Sequence, residues 1–221
     1  MGAETWNAVD EFLAGALRLD DDVLASALAA SRDAGLPEIA VSTPQGRMLQ
    51  LLAAQSGARR ILEIGTLGGY SGICLARALP AEGRLVTLEL DPRHAEVARG
   101  NFAMAGVAAR VEVRVGPALE TLAALERDKV APFDFTFIDA DKVSSAEYVD
   151  FAIRLSRPGA WIVLDNVVRN GAVLLADSPN ESVQGVRRAI AMMGTDARIE
   201  ATAIQTVGSK GYDGFALARV R

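Results

Sequence analysis

Between Arg60 and Ser71 the chain reads Arg-Ile-Leu-Glu-Ile-Gly-Thr-Leu-Gly-Gly-Tyr-Ser, and this stretch limits the possible folds more than any other. Ile61, Leu62 and Ile64 form a short apolar run, Gly65 follows at once, and Gly68 and Gly69 precede a helical pattern through Ile73, Cys74, Leu75 and Leu79. That order predicts a strand, a tight turn and a helix. Glycines at such a turn let the backbone approach a ligand with no Cβ in the way, and the N–H groups opening the helix can bond an anionic group. A small molecule is therefore expected over Gly65. A dinucleotide fingerprint needs G-x-G-x-x-G, but the position two after Gly65 is Leu67, so that spacing fails. Glu63 stands inside the strand between Leu62 and Ile64, where a carboxylate is costly unless something cationic or rich in donors meets it. An ammonium group would answer that need.

With 221 residues, 50% of them hydrophobic, the chain is long enough for one well-cored domain and short for two. The net charge of −5 and the lack of a Lys/Arg-rich run argue against a nucleic-acid partner and for a small-molecule substrate. No apolar run reaches the ~18 residues of a membrane span, and Met1 to Asp10 contains no signal-peptide core, so no membrane partner and a cytoplasmic protein are expected. The single cysteine, Cys74, lies in an apolar helix and reads as packing. His94, the one histidine, sits among polar residues early in a helix and is expected in solvent; His/Cys zinc sites and histidine triads are thereby excluded.

Along the chain, two helices are expected from Trp6 to about Ala34, the second opening near Asp20 to Asp22 and stopping at Gly35-Leu36-Pro37. A third runs from Pro44 to Ser56. Arg84 to Glu89 gives a second strand ending in an acid, which can take both hydroxyls of a ribose in any nucleoside binder. Asp91 caps a helix with Pro92 in its first turn, and Val111 to Val115 gives a third strand before a helix from Ala118 to about Arg127. The fourth strand, Phe133 to Ile138, runs into Asp139-Ala140-Asp141-Lys142, and Ser144 or Ser145 caps the next helix. Pro158-Gly159 turns the chain into the fifth strand, Ala160 to Leu164, which runs into Asp165-Asn166. Arg169 to Pro179, with the apolar Val173-Leu174-Leu175, reads as a lid or an interface segment. After a helix from Ser182 to Met193 come two strands, Ile199 to Val207 and Phe215 to Val220, joined by residues 208–214. Strand and helix alternate throughout, which predicts an α/β, doubly wound, mostly parallel sheet of seven strands with an antiparallel C-terminal pair and N-terminal helices packed on the core.

Asp139, Asp165 and Asn166 supply two carboxylates and an amide at strand ends, a hard-oxygen set suited to magnesium, manganese or calcium. From the residues alone, a metal site and a cofactor carboxylate beside a polar turn are both open. Glu63-x-Gly65-x-x-Gly68-Gly69-Tyr70-Ser71 resembles the first motif of the S-adenosylmethionine-dependent methyltransferases. With Asp-Ala-Asp-Lys after the fourth strand and Asp165-Asn166 after the fifth, the chain is similar to the cation-dependent O-methyltransferases of the caffeoyl-CoA and catechol type. The wording from Asp165 to Gly171 resembles the bacterial branch.

This resemblance implies a Rossmann-like fold in which Glu63 meets the methionine ammonium of the cofactor and Ser71 its carboxylate. Gly65, Thr66 and Val41 would also lie against the cofactor, Glu89 would hold the ribose, Ala118 would sit under the adenine and Asp141 would face the adenosine side. Asp139, Asp165 and Asn166 would hold the cation, and Asn170 would face the substrate pocket. A substrate with adjacent phenolic hydroxyls could chelate the metal, while Lys142 takes the hydroxyl proton or stays charged and steadies the phenolate. Nothing in the N-terminal helices matches the acyl-CoA contacts of the plant enzymes, which favours a small vicinal diphenol over a CoA ester. The rival readings are a metal-independent methyltransferase, a non-catalytic adenosylmethionine binder and an NAD-dependent dehydrogenase. A homodimer is expected from the apolar N-terminal helices and the Val173 to Leu175 tip.

Overall fold

Seven strands form one sheet in the order β3-β2-β1-β4-β5-β7-β6. The computed structural model describes residues 2–19 and 21–221; Asp20, named above at the start of the second helix, lies outside the described residues. The strands are β1 (Arg60–Ile64), β2 (Arg84–Glu89), β3 (Val111–Val115), β4 (Phe133–Ile138), β5 (Ser156–Asp165), β6 (Ile199–Gly208) and β7 (Gly211–Val220). The first five run parallel, and β7 lies antiparallel between β5 and β6. This is the Rossmann-like, doubly wound arrangement expected from the alternation of apolar runs and helical patterns.

β1 is central, and Ile61, Leu62, Glu63 and Ile64 are all fully buried, as expected of a parallel strand covered on both faces. On one face Ile61 packs with α2 (Asp22–Asp33), α3 (Thr43–Gln55), α4 (Tyr70–Ala78) and α5 (Pro92–Met104). On the other, Leu62 and Ile64 pack with α6 (Ala118–Arg127), α7 (Ser145–Arg154) and α8 (Glu181–Thr195). Cys74 is buried among the apolar residues of the first face, and burial pushes its thiol up to about 12, so it is packing as expected. The helix starts follow capping chemistry: Asp21 accepts from Leu24 N, Asp91 from Arg93 N and Asn180 from Ser182 N.

Three local readings are corrected. Ser144 occupies the cap position of α7 without a side-chain cap bond; Asp141 Oδ1 instead accepts from Ser144 N at 3.0 Å. Pro158-Gly159 is not a turn before β5 but an irregularity inside it, where Phe133 pairs with Ser156 and Phe135 with Trp161, so extra β5 residues bulge between the two pairs. The C-terminal hairpin closes in two residues, Ser209 and Lys210, because Tyr212 and Asp213 pair with Val207 and Thr206 and extend the ladder through what reads as a loop.

The first helix, α1 (Ala3–Ala16), has no buried residue, and Phe12 on it and Leu17 just after it are exposed. Leu174 and Leu175 are exposed at the end of a 3-10 turn over Arg169–Leu174. These are the surfaces from which the dimer expectation arises. Among the described residues no helix is long and apolar enough to cross a membrane.

Candidate functional site

A cavity of about 1120 Å³ opens at the carboxyl ends of β1, β2, β4 and β5, where an open α/β sheet places its ligands. Of the residues singled out from the sequence, Val41, Gly65, Thr66, Ser71, Glu89 and Ala118 line one part of it. Asp139, Asp141, Lys142, Asp165, Asn166 and Asn170 line the other. Glu63 is fully buried and is not part of the lining.

The glycines of the turn have reasons inside the protein as well as toward a ligand. Gly65 has φ +98°, and a Cβ there would stand 2.2 Å from the Asp139 carbonyl oxygen, so the ends of β1 and β4 meet because this residue has no side chain. At Gly68 a Cβ would meet Ser31 Oγ of α2 at 2.0 Å, and Asn101 Nδ2 donates to the Gly68 carbonyl at 2.8 Å and to the Ala27 carbonyl at 3.2 Å. Leu67, at the position where a dinucleotide fingerprint carries glycine, takes φ +49°. That strained conformation is held by Glu89, whose Oε2 accepts from Leu67 N at 2.7 Å and from Thr66 N at 3.2 Å. Glu89 Oε1 accepts from Asp91 N at 2.9 Å and lies 3.6 Å from His94 Nδ1. His94 is therefore not a solvated surface residue: its side chain is 24% exposed and lines the cavity.

Glu63 finds the donors that its place in the strand demands. Ser71 Oγ donates to its Oε1 and Thr87 Oγ1 to its Oε2, each at 2.6 Å, and Thr66 Oγ1 lies 2.6 Å from Thr87 Oγ1. Burial pushes the Glu63 carboxyl up to about 7; the two hydroxyls oppose the rise, and the charges of Asp139 and Glu89 add to it. Below its ordinary value of 4.5 this group is protonated whether the chain is folded or not. As pH rises the unfolded chain releases this proton first, so stability falls, and by about pH 7 to 8 the penalty reaches about 3 kcal/mol. Glu63→Gln removes the ionisation. The melting-temperature advantage of the variant over wild type should grow from pH 5 to pH 8, and a difference that stays flat across this range would show that Glu63 does not titrate there.

At the other end, Lys142 Nζ donates to Asp139 Oδ1 at 2.7 Å. Asp165, 4% exposed, accepts from Gln45 Nε2 at 2.7 Å and from Asn166 N at 2.8 Å. Burial, and then the Asp139 charge, push the Asp165 carboxyl up to about 7 against the pull of Lys142. Lys142 supplies one positive charge against these two carboxylates. Among the described residues no group of three or more His, Cys, Asp and Glu is gathered for a metal. The set here is two carboxylates with the Asn166 amide beside them, oxygen donors without a soft ligand, which suits a hard divalent cation. Asp141 is turned toward α7: burial pushes its carboxyl up, but its Oδ2 accepts from Tyr148 OH and its Oδ1 from Ser144 N, and together these bonds hold it below the usual range.

The segment after Asp165 is strained. Asn166, Arg169 and Asn170 all have positive φ, and Asp213 Oδ1 pins them by accepting from Val168 N at 2.9 Å and Arg169 N at 3.0 Å. Gln45, Tyr148, Asp213 and Gly185 were not singled out from the sequence. Gly185 lies inside α8, where glycine is unfavourable, and an isolated glycine in a helix is itself a signal. A Cβ there would stand 2.0 Å from the Lys142 carbonyl oxygen and 2.7 Å from that of Val143, so α8 backs directly onto the Lys142 loop.

Residues 18–220 match a family model described as O-methyltransferase. A catechol O-methyltransferase of Mycobacterium tuberculosis is 58% identical over 213 residues, covering 96% of this chain and 95% of that protein. One of Niastella koreensis is 48% identical over 221 residues, covering 100% of each. An O-methyltransferase of Streptomyces achromogenes, solved in complex with SAM, superposes with a TM-score of 0.96 at 53% identity, covering 100% of this chain and 99% of that one.

Proposed function

Since the chain belongs to the O-methyltransferase family, we propose that its cavity binds S-adenosylmethionine and transfers the methyl group to one hydroxyl of a vicinal diphenol, with a divalent cation held by Asp139, Asp165 and Asn166. The observation that carries this reading is the meeting of the Asp139–Lys142 pair and the buried Asp165 in one cavity with the glycine turn.

The bound sulfonium supplies an already activated methyl, and a cation at these oxygens supplies a Lewis acid that favours ionisation of a neighbouring hydroxyl. The residues of the chain do the rest. Ser71, bonded to Glu63, lines the cavity and would meet the methionine end of the cofactor. Glu89 sets the turn through Thr66 and Leu67 and faces the cavity for a ribose. Lys142, 9% exposed and lining the cavity, would take the hydroxyl proton or steady the phenolate charge. As the O–C bond forms, the S–C bond breaks and its electron pair stays on sulfur. No covalent intermediate with the protein is needed, so its share is alignment and exclusion of water.

A metal-independent transfer is the second reading, favoured by Lys142, whose ammonium already neutralises Asp139 in this structure. An NAD-dependent oxidoreductase is disfavoured by Leu67 in place of glycine. Transfer of a labelled methyl group from adenosylmethionine to catechol, after metal stripping and with or without magnesium, separates these readings. Turnover with magnesium and its loss in EDTA is the expected result. Full turnover in EDTA selects the metal-independent reading, and absence of transfer with NAD binding in calorimetry overturns both.

A further inference from the structure

Asp165 is buried, and its two carboxylate oxygens are met by different partners. Oδ1 accepts from the neighbouring Asn166 N at 2.8 Å, while Oδ2 accepts from Gln45 Nε2 at 2.7 Å, across 120 residues of chain. Among the described residues Gln45 is the only side chain that hydrogen-bonds Asp165, because the Lys142 ammonium pairs with Asp139 instead. Both Gln45 and Asp165 line the cavity.

The helix start that carries Gln45 has little freedom to move. Ser42 caps α3, with Pro44 in the first turn, and Tyr70 OH of α4 donates to Thr43 Oγ1 at 3.4 Å. A Cβ at Gly46 would lie 2.9 Å from Tyr70 Cε1 and 3.1 Å from Cys74 Sγ, so the first turn of α3 is pressed against α4. Further along, Leu49 and Ala53 are fully buried and hold the helix to the core. Gln45 therefore reaches the end of β5 from a rigid element, the kind of support that a precisely aimed carboxylate requires.

We propose that Gln45 is a positioning residue, whose amide holds the Asp165 carboxylate in the orientation that lets it take a divalent cation. The inference rests on the cation reading given above. An ionised carboxylate has about four lone-pair positions, so the two bonds that Asp165 makes leave acceptor capacity for a cation. A neutral amide orients the group without cancelling its charge, whereas a lysine or arginine at position 45 would form an ion pair and compete with the cation. Removing a hydrogen bond that supports a metal-binding side chain lowers metal affinity by roughly 10–100-fold.

The test uses Mn²⁺ as the probe, its binding to metal-free protein followed by electron paramagnetic resonance, in wild type, Gln45→Met, Gln45→Leu and Ser42→Ala. Both apolar Gln45 variants should bind Mn²⁺ roughly 10–100-fold more weakly, while S-adenosylhomocysteine affinity and the melting temperature of the metal-free protein stay near wild type. Leucine differs from methionine in shape, so agreement of the two excludes a packing fault peculiar to either. Val41 lines the cavity just before α3, so a displaced helix start would disturb the cofactor side as well. A parallel loss of Mn²⁺ and S-adenosylhomocysteine binding, or a loss of Mn²⁺ binding in Ser42→Ala equal to that in Gln45→Met, would make Gln45 structural only and overturn the proposal. Wild-type Mn²⁺ affinity in both Gln45 variants also overturns it. If wild type binds no Mn²⁺, the cation reading falls on its own. Crystal structures of wild type and Gln45→Met then decide the positioning role: an Asp165 carboxylate turned from its wild-type direction supports it, and one that keeps that direction overturns it.

Discussion

Replacing Lys142 by alanine should lower turnover on a vicinal diphenol by roughly 10²–10⁴, the range for losing a general base or its electrostatic equivalent, while magnesium binding persists. The side chain is nearly buried and reaches Asp139 Oδ1 at 2.7 Å, so no solvent lysine takes its place. The loss should shrink at high pH, where the substrate hydroxyl ionises unaided, and extra magnesium should not restore the rate. Asp165→Ala should fail differently. It would remove one oxygen of the proposed cation site, so apparent metal affinity should fall and added magnesium should recover part of the rate. The pair of variants is read by titrating magnesium against initial rate. A Lys142→Ala enzyme as active as wild type at neutral pH removes this residue from the chemistry.

Gly185→Ala is expected to cost about 10²-fold in turnover, although the residue touches neither ligand. The added methyl would lie 2.0 Å from the Lys142 carbonyl and 2.8 Å from Val143 Cα, both backbone atoms with no rotamer to yield. Either α8 or the Lys142 loop has to move by about an ångström, and a displacement of that size is enough to spoil a reacting geometry. Alanine favours the helix by about 1 kcal/mol, which offsets part of the packing cost. Turnover should therefore fall while circular dichroism still shows the wild-type fold at room temperature. Wild-type turnover in this variant would mean that the loop shifts freely and that α8 does not position Lys142.

The sequence shows these features unequally, and physical reasons separate the legible from the hidden. β1, β2 and β4 are short apolar runs ending in Gly65, Glu89 and Asp139, so both the strands and the edge where the site lies can be read directly. The partners of Glu63 cannot, because Thr87 comes from the neighbouring strand and meets Glu63 only through the β1–β2 register. Pro158-Gly159 and Tyr212-Asp213-Gly214 look like turns by composition, yet pairing with neighbouring strands holds them in β5 and β7. Gln45 and Asp213 have no motif around them. Their roles appear once α3 and β7 bring them against Asp165 and the strained segment after it.

The hairpin tip has a consequence for the order in which the molecule is completed. Ser209 is tied to Asp10 across 199 residues of chain, the longest-range side-chain hydrogen bond among the described residues, and β7, inserted between β5 and β6, comes last in the chain. During synthesis the glycine turn and the floor of the site can form from β1 to β5, but the wall carrying Lys210 waits for the last strand to pair. A ligand that touches this wall stabilises the late contacts selectively, and its occupancy then reports whether the chain has finished folding.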